Sequence, residues 1–351
     1  MTINRQELES ILHHAILAPS ADNRHNIRFK LGMDSVQCYT DDPAFFQPTG
    51  YRRVLAWLSL GALSENFTLS ASRFGMDVSV TPCPMQKDGL LMALHLKNQA
   101  VSEDPLWKMI PHRHTNRHIW FHGPGMTDKE NAELVAAVEC YANCNLFWLD
   151  ETVQRKAVLK QIQRAETERF YNPVLHEELF SAIRFDVGWK NSCEAGLPPG
   201  TLGVEPMLRG LFSTLRHWPV MRVANRFGAH RMLGLRAAYL PCRLAPHLGM
   251  LCVRKTDIQS VLEAGRAFQR LWLSVTRQGR VLQPMPASAL YALDGAPDEG
   301  IAVGLQQELK TGWRAIAGEE GIPLMLFRMG KAKPMPVIAG RETVMRYIEE
   351  T

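Results

Sequence analysis

The chain has 351 residues, enough to bury a large core as two domains or as one domain with a long insertion. A net charge of +5 is compatible with an anionic small-molecule cofactor and too small to argue for nucleic acid. There is no signal-peptide pattern and no apolar run near ~18 residues, and the seven scattered cysteines contain no Cys-x-x-Cys pair. We therefore expect a cytoplasmic protein with no metal and with neither a membrane nor a nucleic-acid partner.

In chain order, Gln6 to Leu17 predicts a helix, with Leu8, Ile11, Leu12, Ala15 and Ile16 at helical spacing. It stops at Ala18-Pro19-Ser20, and the loop 21–26 leads into strands at Ile27–Leu31 and Val36–Tyr39. Leu55 to Phe74 is a long apolar helix closed by Gly75. Strands follow at Met76–Thr81 and Leu90–Leu96. A helix starts at the Thr127/Glu130 capping box, then a strand at Asn145–Leu149 and a helix at Glu151–Phe170. From Pro206 to Thr256 there is no Asp or Glu but nine Arg or Lys, which suits a basic amphipathic lid or an interaction surface. A strand at Leu248–Arg254, a helix at Ile258–Gln278, a linker at Gln283–Pro286, a helix at Val303–Ala317 and a strand at Leu324–Met329 complete the order.

Ile110 to Phe121 carries Arg113, Thr115 and Arg117 at alternate positions, and no carboxylate interrupts Leu106 to Met126. In an extended segment these side chains face one way, which suits a phosphate. A solvated basic loop is the plain alternative. His114, His118 and His122 would share a face only in a helix, which Pro111, Gly123 and Pro124 oppose. Trp189, Trp218 and Tyr239 are candidate pocket liners or core, and Cys140 and Cys144 read as buried small hydrophobes.

Two passages also match at an offset of 204. Gly61, Leu69, Ser70, Arg73, Gly75 and Pro82 correspond to Gly265, Leu273, Ser274, Arg277, Gly279 and Pro286. We read this as an internal repeat, whose two copies would pack like a symmetric dimer with a site between them.

Ala18-Pro19-Ser20-Ala21-Asp22-Asn23-Arg24-His25-Asn26-Ile27-Arg28-Phe29 resembles the Ala-Pro-Ser-x-x-Asn-x-Gln-Pro-Trp-x-Phe signature of the FMN-dependent nitroreductase superfamily. Arg113-His114-Thr115-Asn116-Arg117 resembles its Arg-x-Ser/Thr-x-Arg phosphate motif. The motif order, the repeat and the long insertion resemble the Acg-like branch, in which one chain supplies both halves of a dimer. The resemblance implies an α+β fold of two pseudo-symmetric halves, each a small mixed or antiparallel sheet flanked by long helices. The halves would be 1–105 and 106–351, with a helical lid at about 178–245.

The resemblance further implies FMN as cofactor. Arg113, Thr115, Arg117 and Arg341 would hold its phosphate, Pro19, Ser20 and Asn23 would lie against its ring, and Gln283 and Pro284 would stand near flavin N5. His25-Asn26-Ile27 departs from the family's Gln-Pro-Trp. No catalytic protein side chain is expected, because the flavin carries the redox chemistry. NAD(P)H would visit as a diffusing reductant, and a small conjugated or aromatic molecule would be the substrate. The alternative is a protein that stores FMN under a closed lid. Either a monomer with pseudo-dimeric halves or a homodimer fits.

Overall fold

The computed structural model describes residues 3–83, 88–99, 101–318 and 321–349. Helix α1 (Arg5–Ile16) begins with a reciprocal cap: the Asn4 side chain accepts from the Glu7 amide, and the Glu7 carboxylate accepts from the Asn4 amide. Strands β1 (Arg28–Leu31) and β2 (Ser35–Tyr39) follow, then the long helix α2 (Tyr51–Ser72), then β3 (Asp77–Pro82) and β4 (Leu90–Lys97). Next come α3 (Asp128–Glu139), β5 (Cys144–Trp148), α4 (Thr152–Tyr171) and α5 (Pro173–Ser181). Short helices α6 (Arg209–Leu215), α7 (Trp218–Arg226), α8 (Ala229–Gly234) and α9 (Leu240–Arg243) occupy the basic segment. The chain ends with β6 (His247–Val253), α10 (Ile258–Arg277), β7 (Val281–Pro284), α11 (Ala287–Leu290), α12 (Val303–Ala317) and β8 (Ile322–Gly330).

The fold is α+β. Its two four-stranded sheets run in the orders β1-β2-β4-β3 and β5-β6-β8-β7, and every pair is antiparallel. Both sheets therefore use one strand order. The strands written in near-continuous apolar residues, β4, β6 and β8, are all central, with β2 as the fourth inner strand, and they are buried along most of their length. No helix among the described residues is long and apolar enough to cross a membrane.

Helices α2 and α10 pack on each other at a pair of glycines. A Cβ on Gly61 would sit 2.2 Å from the Leu262 carbonyl oxygen, and one on Gly265 would sit 2.2 Å from that of Leu58. The contact is reciprocal at the offset of 204, as at a two-fold interface. The helix ends match too. Gly75 and Gly279 both have φ +67°, and the Met76 and Arg280 amides donate back to Ala71 and Val275. Away from the glycines the interface is polar: Gln269 donates to Asn66 at 2.7 Å, and Arg266 and Arg270 pair with Glu65 at 3.0 and 2.8 Å. Burial alone would raise the Glu65 carboxyl, but the two guanidiniums hold it below the usual carboxylate range.

Three expectations need correction. Ile110 to His112 is not extended, because Pro105–His112 forms a 3₁₀ helix; the chain straightens only at Arg113, and Thr115 then bridges Leu282 in parallel. Gln283 and Pro284 lie in strand β7 and not in a linker. Cys144 is buried but Cys140 is exposed.

Replacing Gly61 or Gly265 with Ala should destabilise the chain by about 1–3 kcal/mol, because two backbones must separate. Gly304→Ala, a helical site with nothing within 4 Å of the added carbon, should leave stability nearly unchanged. Urea unfolding of the three variants against the parent checks this.

Candidate functional site

A cavity of about 440 Å³ lies beside the α2–α10 crossing. Leu58 and Ala62 of α2 and Gly265, Phe268 and Trp272 of α10 form one wall. Pro19 and Ser20, Thr115 and Arg117, and Gln283 and Pro284 come to it from three distant parts of the sequence. Leu208, Leu211, Phe212, Leu215 and Leu233 of the basic segment line it as well. This size and apolar lining suit a planar organic molecule held by a few polar groups.

The 19–23 turn owes its shape to two strained residues. Asp22 and Asn23 have φ of 53° and 59°, a region that Asp and Asn tolerate better than most residues. Asn23 is tied down on both sides. Its amide donates to the Gly340 carbonyl at 3.1 Å, and its oxygen accepts from Arg341.

The four expected phosphate ligands do not all face one target. Thr115 and Arg117 line the cavity, and Arg117 donates to the Thr201 carbonyl at 3.3 Å. Arg113 turns instead to the end of α1, where it donates to the Leu17 carbonyl at 3.2 Å with its guanidinium 4.5 Å from the Trp272 ring centre. Arg341 reaches the same helix end, donating to Ile16 at 3.0 Å and to Ala18. Neither Arg113, Arg341 nor Asn23 is among the cavity's lining residues. Burial depresses all three guanidiniums. Arg113 falls to about 9, helped by Arg341, and Arg341 itself to about 10. Arg117 also falls to about 10, although Asp22 partly opposes the shift. Two polar atoms here are buried without a partner, Arg113 Nε and Ser20 Oγ.

His25, where the sequence departs from the expected motif, belongs to the same knot. Its Nε2 faces two carbonyl oxygens, Ile16 at 3.0 Å and Ala18 at 3.2 Å, so it carries the proton. Its ring meets Tyr347 edge-on. Burial, and then Arg341, lower its pKa to about 3.

Sequence reasoning missed several residues. Arg169 lines the cavity paired with Glu166 at 3.4 Å, and Arg236 with Glu205 at 2.7 Å. Arg169 sits in the charge-rich α4 and Arg236 is one of many spaced cations in the acid-free segment, so nothing marked them out. Arg328 had a signal, a lone cation in an apolar strand. It is fully buried, donates to Gln283 at 2.8 Å and Ile119 at 3.0 Å, and lies 3.8 Å over the Phe121 ring. Trp189 and Trp218 do not line the cavity; Trp189 packs against Phe185 and Phe212, and Trp218 against His176. Tyr239 is also absent from the lining and packs against the main core. Among the described residues, no group of three or more His, Cys, Asp or Glu side chains is placed to hold a metal ion. Burial pushes the Cys144, Cys242 and Cys252 thiols up to about 12, which makes them poor nucleophiles.

The folded pKa of His25 lies below its unfolded value of 6.5. Its contribution to stability is therefore complete above about pH 6.5 and is lost as pH falls toward 3. Thermal melts from pH 7 down to 5 should show a shallower decline for His25→Gln than for the parent.

No family model matches the chain. No curated protein matches it. Among solved structures it is similar to the FMN-dependent nitroreductase NfnB from Mycobacterium smegmatis in complex with NADPH, at 16% identity and a TM-score of 0.34, over 64% of this chain and 86% of that one. It is similar to the FMN and NADPH-dependent nitroreductase NfnB from Sphigopyxis sp. strain HMH, at 14% identity and a TM-score of 0.38, over 71% and 99%. It is also similar to a nitroreductase with bound FMN from Bacteroides fragilis, at 9% identity and a TM-score of 0.35, over 66% and 89%. These superpositions are loose, and the chemistry of the site rests on its own residues.

Proposed function

We propose that the chain is an FMN-dependent, nitroreductase-like oxidoreductase of the Acg-like kind, built from halves 1–105 and 106–351 with one flavin site between them. The observation that carries this reading is the meeting of Pro19–Ser20, Thr115–Arg117 and Gln283–Pro284 in one cavity against α2 and α10. The first two segments carry the motifs that resemble the flavin family's, and all three are far apart in sequence. The residues fit the group. Apolar walls suit a flat conjugated ring, and Thr115 and Arg117 offer a hydroxyl and a cation to an anion. The unpartnered Arg113 Nε and Ser20 Oγ are donors in want of an acceptor.

In this reading Arg113, Thr115, Arg117 and Arg341 hold the phosphate, with Arg113 and Arg341 drawn partly away from the α1 carbonyls. Pro19, Ser20 and Asn23 lie against the ring, and Gln283 and Pro284 stand near flavin N5. Arg328 fixes Gln283 from behind. Bound FMN would supply the redox chemistry at N5. The chain's own task is to bind, orient and exclude water, with NAD(P)H as a visiting reductant and a small conjugated molecule as substrate.

One observation favours the storage alternative: five apolar side chains of the basic segment line the cavity. Anaerobic NADPH or NADH separates the two, since bleaching of bound flavin supports an enzyme and persistence of oxidised flavin supports storage.

The purified protein should be yellow and should gain thermal stability from added FMN. Arg113→Ala with Arg117→Ala should raise the FMN dissociation constant roughly a hundredfold or more, from two lost charged hydrogen bonds. A colourless chain indifferent to FMN would sink the proposal, and unchanged flavin affinity in the double variant would sink the phosphate assignment.

A further inference from the structure

The basic segment that lines the cavity has an outer surface of unusual composition. Met207 and Phe227 are each 87% exposed and Met232 is 65% exposed, with Leu211, Val220 and Val223 also at the surface. Helix α7 shows the arrangement best. Trp218, Met221 and Asn225 face inward: Met221 is fully buried, and the Asn225 amide donates to the Phe170 carbonyl at 2.9 Å. Val220, Val223 and Phe227, at helical spacing, face outward with Arg222 and Arg226 beside them. Large apolar side chains gathered on a soluble surface mark a docking site.

The charge identifies the partner. Arg222, Arg226 and Arg231 are exposed, and among the described residues none of them forms an ion pair with a carboxylate. No Asp or Glu occurs from Pro206 to Thr256, and Glu205 is already paired with Arg236. We propose that the α6–α8 face docks on an anionic lipid bilayer, with its apolar side chains in the interface and its arginines at the headgroups. A second copy of the chain is disfavoured, because a symmetric contact would set these arginines against one another. A nucleic acid is disfavoured because the exposed side chains are mostly aliphatic or thioether, with Phe227 the one strongly exposed aromatic to stack on a base. The proposal departs from the absence of a membrane partner expected from composition. It also gives the cavity a direction, since Leu208 and Leu211 are both exposed and cavity-lining and so stand at its mouth.

Flotation of the full chain with phosphatidylcholine vesicles, with and without phosphatidylglycerol, tests the proposal without any turnover and independently of the flavin reading. Binding should require phosphatidylglycerol and weaken as salt is raised. Arg222→Gln with Arg226→Gln should lower partitioning by roughly an order of magnitude or more, at about fivefold per arginine. Val223→Ser with Phe227→Ser should also release the chain. If a variant misfolds, the lipid and salt dependence of the parent still decides. No flotation with phosphatidylglycerol, binding indifferent to salt, tighter binding to a single-stranded oligonucleotide than to vesicles, or a dimer lost with Phe227→Ser and no flotation would each overturn the proposal.

Discussion

The crossing of α2 and α10 is the constraint on which the rest depends. Two backbones can approach this closely only where both helices lack a side chain, and Gly61 and Gly265 supply that at one point. The approach brings Leu58 and Ala62 beside Phe268 and Trp272, which together form a wall of the cavity. Farther along, Glu65 with Arg266 and Arg270, and Asn66 with Gln269, replace apolar packing by a paired polar layer in which Gln269 Oε1 alone is left without a partner among the described residues. Such a layer resists sliding of one helix along the other, because a shift would strand a buried carboxylate.

A second knot gathers at the end of α1. The last carbonyls of a helix carry partial negative charge and lack partners within it. Here Ile16, Leu17 and Ala18 receive Arg113, His25 and Arg341. Arg113 and Arg341 thus already have an electrostatic partner, the partial negative charge of the helix terminus. His25 works in this knot as a neutral donor, which gives the unusual residue in the motif a physical role: it adds a hydrogen bond without adding a third charge beside two guanidiniums.

Much of this was legible in the sequence because it depends on periodicity and on glycine. The glycines at 75 and 279 serve a local need, a positive φ at a helix end, and those at 61 and 265 a tertiary one, the approach of a second helix; the matched spacing makes both pairs visible in the sequence. The strands were legible from apolar runs. What could not be read was direction. Alternate spacing suggested that Arg113 and Arg117 share a target, but a 3₁₀ turn at Pro105–His112 sets where the extended segment begins. The first guanidinium then reaches α1 and the second the Thr201 carbonyl. Arg236 was invisible because its partner Glu205 becomes a neighbour only through tertiary folding, and Arg169 because its pairing with Glu166 one turn back on α4 does not reveal that the helix faces a cavity.

The end of the chain returns to its beginning. The Phe29 amide donates to the Tyr347 carbonyl at 2.6 Å, and the Glu349 amide donates to Phe29 at 2.9 Å, so the final residues extend the first sheet beyond β1. More than 300 residues separate the β1 edge from the segment at 347–349 that pairs with it. Until that later segment has been made the edge is open, a template for any passing strand. Arg28 and Lys30 on β1 are charges of the kind that guard such an edge, and both end up paired with Glu349 when the late segment arrives.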